Sequence, residues 1–272
     1  MSDAQKSTPA RIRTPHLREL KEQGRRFAML TAYDAMTANV FDQAGVEVLL
    51  VGDSAANVVM GQDSTLPITT DELLVFARSV ARGAQRALVV ADLPFGTYEA
   101  SPQQAVQTAV RFMKEAGVHA VKAEGDAGLA EHVRAMVSAG IPVIGHVGFT
   151  PQSEHALGGY RVQGRGDAAE TVLTDARALE EAGAFAVLAE MVPAAVMAEL
   201  DSALEVPTIG IGAGAAATGQ VLVWQDMLGL GESASPRFVK RYADLRRVMT
   251  EAVSTYRREV LDGTFPDEEH SF

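Results

Sequence analysis

Asp53, Asp92 and Glu124 each close one of three successive apolar runs, and Lys122, His146 and Glu190 stand at or near the ends of others. If those runs are neighbouring parallel strands, their ends lie about 4.8 Å apart. Three carboxylates so close cannot all stay ionised unless a cation joins them. A hard divalent ion such as Mg2+ takes oxygen ligands and keeps several sites for water or substrate oxygens. Taken singly, each acid also reads as an ordinary helix N-cap following a strand; three in order favour a metal site. Lys122 lies two residues before Glu124, so the two side chains leave a strand on the same side. A buried lysine beside carboxylates keeps its charge and can steady an oxyanion or enolate, or it forms an internal ion pair. Glu190 ends a wholly apolar run, where partial desolvation would strengthen it as a general base; the alternative is a structural salt bridge. His146, inside Gly145-His146-Val147-Gly148, reads equally as metal ligand, donor to substrate or satisfied polar residue.

The elements that must carry these residues are eight apolar runs, at 27–33, 46–54, 87–92, 120–124, 143–147, 185–190, 207–212 and 221–226. Continuous rather than alternating apolar runs suit strands buried on both faces, as in parallel sheets. Alternation with helical stretches predicts a single-domain α/β fold, a (β/α)8 TIM barrel, whose strand ends converge on one site. A doubly wound open sheet would show the same alternation, and eight evenly spaced strands favour closure. Helical stretches end in Ala44-Gly45, Ala116-Gly117, Ala139-Gly140 and Ala182-Gly183, each glycine suited to a left-handed helix terminus. Ser101, Pro102 and Gln104 mark the start of the best-defined helix. The predicted organisation is an N-terminal arm at 1–25 with a short helix at 17–23, the barrel at 26–260, and a frayed tail at 261–272.

Composition narrows the function classes. The 272 residues fit one such barrel, and 47 % hydrophobic with 22 % charged residues can bury a large core. A net charge of -11 argues against nucleic-acid or anionic-membrane partners. The chain has no cysteine, which removes disulfides, thiolate zinc sites and cysteine nucleophiles. No run reaches the roughly 20 apolar residues of a membrane span, so the cytoplasm is the default compartment. Gly210-Ile211-Gly212-Ala213-Gly214 resembles a phosphate-gripping loop but lacks the following fingerprint, and reads as a close backbone approach or tight turn. The glycine-bearing stretch 158–165 reads as a lid.

Several motifs together resemble the ketopantoate hydroxymethyltransferase family. They are Thr31-Ala32-Tyr33-Asp34, Val51-Gly52-Asp53-Ser54, Gly61-Gln62-Asp63-Ser64-Thr65-Leu66-Pro67 and Ala91-Asp92-Leu93-Pro94-Phe95-Gly96. Val121-Lys122-Ala123-Glu124-Gly125, the run Gly145-His146-Val147-Gly148-Phe149-Thr150-Pro151-Gln152, Leu188-Ala189-Glu190 and the 210–214 glycines complete the set, in the family's order. The resemblance implies transfer of a hydroxymethyl unit from 5,10-methylenetetrahydrofolate to 3-methyl-2-oxobutanoate, giving 2-dehydropantoate. It implies Mg2+ at Asp53 and Asp92 with Glu124 alongside, keto-acid contacts from Ser54 and Lys122, and Glu190 as the proton acceptor. His146 lines the same pocket. It also implies a homo-oligomer, a decamer of two stacked pentamers. The chain departs from the family's pattern at Thr218, which stands before Gly219-Gln220 where an acid is usual, and at Trp224-Gln225 and Arg161. Two rival readings remain: an Mg2+-dependent lyase or mutase of the phosphoenolpyruvate mutase and isocitrate lyase type, and a barrel that has lost catalysis.

Overall fold

Eight parallel strands close on themselves in chain order in a computed structural model that describes residues 10–231 and 236–272. They are β1 Phe27–Thr31, β2 Val48–Val51, β3 Leu88–Asp92, β4 Ala120–Glu124, β5 Val143–Gly148, β6 Ala186–Glu190, β7 Thr208–Ile211 and β8 Gly219–Leu222. The helices are α1 Thr14–Glu22, α2 Ala35–Gln43, α3 Ala55–Val58, α4 Thr70–Gly83, α5 Pro102–Arg111, α6 Ala130–Ser138, α7 Glu154–Leu157, α8 Ala168–Glu181 and α9 Ala194–Ala203. The barrel expected from the apolar runs is therefore present.

The strands form because both of their faces are covered. Val48 and Leu50, Leu88 and Val90, Ala186 and Leu188 alternate into one buried cluster with Ala120, Ile144, Ile209 and Val221. Leu17 of α1 joins it at 0 % exposure, so the helix plugs the amino end of the barrel. Around the outside, α5 begins as its sequence signals, with Gln104 N–H donating to Ser101 Oγ at 3.2 Å and Ala105, Ala109 and Phe112 buried.

Some boundaries move. The short N-terminal helix opens at Thr14, three residues before the expected start, because Arg13 N–H donates to His16 Nδ1 and Pro15 suits a first turn. The eighth strand was expected at 221–226 and lies instead at Gly219–Leu222, paired with Phe27–Leu30. Gly219 does not read as a strand residue, yet a Cβ there would come within 2.5 Å of the Phe27 ring. The chain divides into two compact units, Met1–Leu222 and Val223–Phe272, whereas the sequence carried the barrel to 260. Within the second unit, α10 (Trp224–Met227) and the 17-residue α11 (Leu245–Leu261) are followed by one 3-10 turn at Glu268–His270, capped by Asp267. Among the described residues, no helix is long and apolar enough to cross a membrane.

Candidate active site

Strand parity delivers the charges. The residues that fill the barrel, Val90, Ala120, Ile144 and Leu188, are each followed two positions later by Asp92, Lys122, His146 and Glu190. The top layer of an apolar interior is thus charged, and register sets the neighbours: Asp92 pairs with Lys122 and Glu124 with His146. On β2 the same parity falls on Gly52, where a Cβ would lie 2.6 Å from Ser54 Oγ and 3.6 Å from Asp92 Oδ2. Glycine there keeps the centre of the layer open and lets the chain turn so that Asp53 and Ser54 join it.

Lys122 is the hub. Its ammonium lies 3.1 Å from Asp92 Oδ1 and 3.2 Å from Glu124 Oε1, with side chains only 3 to 4 % exposed. Burial opposes its charge, but Asp92, Glu124 and Asp53 outweigh burial and raise its pKa above the ordinary lysine value. His146 Nδ1 sits 3.2 Å from both Glu124 Oε1 and Lys122 Nζ. Its Nε2 faces Glu190 Oε2 at 3.4 Å without a formed hydrogen bond. Burial and Lys122 lower the imidazole's proton affinity, and Glu124 and Glu190 more than restore it, so its pKa ends above the usual value. Glu190 is the more open acid, 14 % exposed at the end of β6. The chain leaves it through Met191 at φ 47, a left-handed conformation that costs a non-glycine residue about 1–3 kcal/mol. Ser54 Oγ is 2.8 Å from Tyr33 Oη, whose pKa burial raises.

The three acids converge, but they are not equivalent. Burial works to raise Glu124, yet Lys122, His146 and the Gln152 N–H bring it down to about 2. Its two oxygens are already taken: Oε1 by Lys122 and His146, Oε2 by Gln152 N–H at 3.0 Å. Asp53 and Asp92 behave oppositely. Burial first, then Asp92 and Glu124, push Asp53 well above the usual carboxylate range, and burial likewise raises Asp92 against the pull of Lys122. Asp92 Oδ1 is fully covered and faces the Lys122 ammonium at 3.1 Å, while Oδ2 accepts the Asp53 N–H at 2.9 Å. Among the described residues, no group of three or more His, Cys, Asp or Glu is placed to hold a metal ion. Two carboxylates crowded together, both pushed upward by burial and by neighbouring acids, fit a hard divalent ion that draws its other ligands from water and substrate.

Asp53, Ser54, Asp92, Lys122, Glu124, His146 and Glu190 thus meet at one end of the barrel, as their positions on the strands implied. Sequence reasoning assigned no role to Gln152 and Tyr98, both buried, which lace the site together. Gln152 was in view as the last residue of the 145–152 motif; Tyr98, on the loop after β3, carries no comparable signal. The stretch 158–165 brings Tyr160 onto Phe149, ring centroids 4.7 Å apart, and burial with Glu154 and Glu190 pushes its phenol up. The glycines after β7 serve packing: a Cβ on Gly214 would lie 2.6 Å from Ala194 Cβ at the start of α9.

Comparison with known proteins agrees with the fold. Solved structures with the same fold include a phosphonopyruvate hydrolase complexed with oxalate and Mg++, at TM-score 0.62 and 15 % identity over 94 % of this chain and 92 % of that one. A phosphoenolpyruvate phosphomutase from Streptomyces platensis subsp. rosaceus matches at TM-score 0.62 and 19 % identity, over 95 % and 91 %. Sequence relatives are far nearer. The 3-methyl-2-oxobutanoate hydroxymethyltransferase of Arthrobacter sp. (strain FB24) is 62 % identical over 271 residues, 100 % of this chain and 90 % of the relative. That of Paenarthrobacter aurescens (strain TC1) is 62 % identical over 263 residues, 97 % and 87 %. The family profile of ketopantoate hydroxymethyltransferase matches residues 11–268, the whole barrel and most of the second unit, and the chain belongs to that family.

Proposed function

We propose that the barrel catalyses hydroxymethyl transfer from 5,10-methylenetetrahydrofolate to 3-methyl-2-oxobutanoate, consuming water and giving 2-dehydropantoate and tetrahydrofolate. The observation that carries the chemistry is Lys122, a buried cation 3.1 Å from Asp92 and 3.2 Å from Glu124, one His146 ring away from the more open Glu190. Glu190 takes the C3 proton of the keto acid. The ammonium of Lys122 faces the oxygen on which negative charge develops, in a site where burial strengthens that attraction. Ser54, held by Tyr33, donates to the acid's carboxylate. Water opens the folate's one-carbon bridge: both of its C–N bonds break, and each nitrogen takes a proton to leave tetrahydrofolate. C3 then bonds to the released one-carbon unit, at the oxidation level of formaldehyde. The proton held by Glu190 goes to that unit's oxygen to give the hydroxymethyl group. Asp53 and Asp92 would hold Mg2+, which when bound supplies Lewis-acid polarisation of the keto acid's oxygens. A cavity of about 620 Å³ bordered by Glu124, Gly148, Thr150 and Gln163 offers room for a second ligand beside the site.

The lyase and mutase reading rests on structures 15 and 19 % identical to this chain, a likeness of fold alone. Relatives 62 % identical over nearly the full chain carry the hydroxymethyltransferase name. A cytoplasmic homo-oligomer belongs to the same proposal, supported by the family resemblance. The deciding experiment is deuterium exchange at C3 of 3-methyl-2-oxobutanoate, followed by NMR with and without Mg2+ and without folate. Metal-dependent exchange that falls about 10²–10⁴-fold in Glu190→Gln is expected of a general base. Exchange undiminished in that variant removes Glu190 from the role. No exchange by the wild type, with or without tetrahydrofolate, removes the reaction.

A further inference from the structure

Gln152 is bonded to residues that follow β2 and β3 and to the last residue of β4. It sits in the single 3-10 turn Pro151–Ser153 that follows β5, and is 6 % exposed. Its amide nitrogen donates to Asp53 Oδ2 and to Leu93 O, each at 2.9 Å. Its amide oxygen accepts from Tyr98 Oη at 2.7 Å, and its backbone N–H donates to Glu124 Oε2 at 3.0 Å. The partners fix which way the amide points: a carbonyl and a carboxylate can only accept, so the NH2 must face them. Tyr98 locks the other side, because its hydroxyl also contacts Glu124 O at 2.9 Å and receives the Glu124 N–H at 3.2 Å.

We infer that Gln152 is a positioning residue for the reaction, which occupies one oxygen of Asp53 and turns the other toward the divalent ion and keto acid. This rests on the proposed enolisation and on Asp53 as a ligand. The division of labour among the acids follows from it. The Gln152 backbone ties Glu124 down as a partner of Lys122 and His146, and the Gln152 side chain leaves half of Asp53 available. Glutamate at this position would set a third acceptor against Leu93 O and Asp53, and asparagine is one methylene too short to span both. Buried polar groups on elements this tightly bonded keep their geometry, which is what a ligand held to a few tenths of an ångström requires.

The test uses the full-length protein and Mn2+ as the probe. Mn2+ binding is read by electron paramagnetic resonance, C3 deuterium exchange gives kcat and KM separately, and a melting curve reports folding. Gln152→Met keeps the volume and removes both donors. It is expected to weaken Mn2+ binding about tenfold and lower kcat for exchange more than it raises KM, in protein that still melts cooperatively. Tyr98→Phe leaves both donors but frees the amide to turn, and a loss of about two- to fivefold in Mn2+ affinity is expected. Wild-type Mn2+ affinity in Gln152→Met overturns the inference, even if its melting temperature and exchange both fall, because that pattern is structural only. If Gln152→Met does not fold, unchanged Mn2+ affinity in Tyr98→Phe overturns it instead. A wild type that catalyses no exchange overturns the proposed reaction, and the Mn2+ comparison still decides on Gln152.

Discussion

The two ends of the barrel bury the same kinds of charge and treat them in opposite ways. At the amino end, Asp42 accepts three backbone N–H groups, those of Gln85, Arg86 and Ala87, at 2.6 to 3.2 Å. Asp201 accepts the hydroxyls of Thr208 and Thr218, and Lys21 Nζ lies 3.4 Å away. Burial would raise Asp201, and these donors more than reverse it, so its carboxyl titrates below the usual range. At the carboxyl end, Asp53 and Asp92 are pushed upward by burial, and Asp53 further by its acidic neighbours. An acid matched by donors is a clamp for the chain. Acids crowded against one another leave a charge imbalance that a ligand must complete, and such imbalance marks functional sites.

The largest effect should come from removing the cation that holds the crowded end together. Lys122→Met is expected to lower C3 exchange about 10³-fold, the scale of losing one oxyanion donor. Without added metal it should also cost about 3–5 kcal/mol of stability, since Asp92 and Glu124 are left buried without their partner. Urea unfolding with and without Mg2+ checks this: the deficit should shrink when the ion is present. Asp42→Ala is the counterpart at the other end. Three backbone N–H groups lose their acceptor, at about 2–4 kcal/mol in total, while exchange per folded molecule stays at the wild-type rate. If Asp42→Ala lowered exchange in folded protein, or Lys122→Met left it intact, the contrast between the ends would be wrong.

Much of this contrast could be read in the sequence at the carboxyl end and almost none at the amino end. Period-two parity runs straight from apolar residues into Asp92, Lys122, His146 and Glu190, so one rule finds both the strand and its functional tip. Residue type and strand order do not say which acid already has partners. That depends on Lys122 of the same strand, on His146 of the neighbouring β5 and on Gln152 in the turn after it. Asp42 and Asp201 gave no signal, because their donors are backbone groups and hydroxyls 7 to 45 positions away. β8 was misplaced for a related reason: Gly219 looks like a turn until the Phe27 ring is seen against it.

His119 offers a smaller test, through pH. It lies just before β4, where its Nδ1 accepts the Val89 N–H at 3.0 Å. Burial, with Arg11 and Arg13 nearby, lowers its pKa to about 4. A depressed base binds its proton more weakly folded than unfolded, so its stabilising contribution is full above about pH 6.5 and is lost as pH falls toward 4. For a partly buried ring the loss is about 1–2 kcal/mol after allowance for solvent screening. Denaturant unfolding at pH 7 and 4.5 should show a smaller drop in His119→Asn than in the wild type, and an equal drop would remove His119 as the cause.

The smallest expected effect is at Thr218. Thr218 Oγ1 donates to Asp201 Oδ1 at 2.9 Å, alongside Thr208 and Lys21. An acid at 218 would turn this donor into a second negative charge beside Asp201, so threonine belongs to the matched-donor arrangement of the amino end. Thr218→Val keeps the shape and removes only the donor, and should cost about 0.5–1.5 kcal/mol. Asp201 would lose part of its downward shift. An acid with a depressed folded pKa contributes stability above its unfolded value, near 4, and gives it up as pH falls through the folded value. The difference between variant and wild type should therefore be full at pH 7 and shrink below pH 4, where Asp201 becomes protonated in both. A difference independent of pH would mean that Thr218 acts by packing alone, and that the amino end does not depend on donor matching at this position.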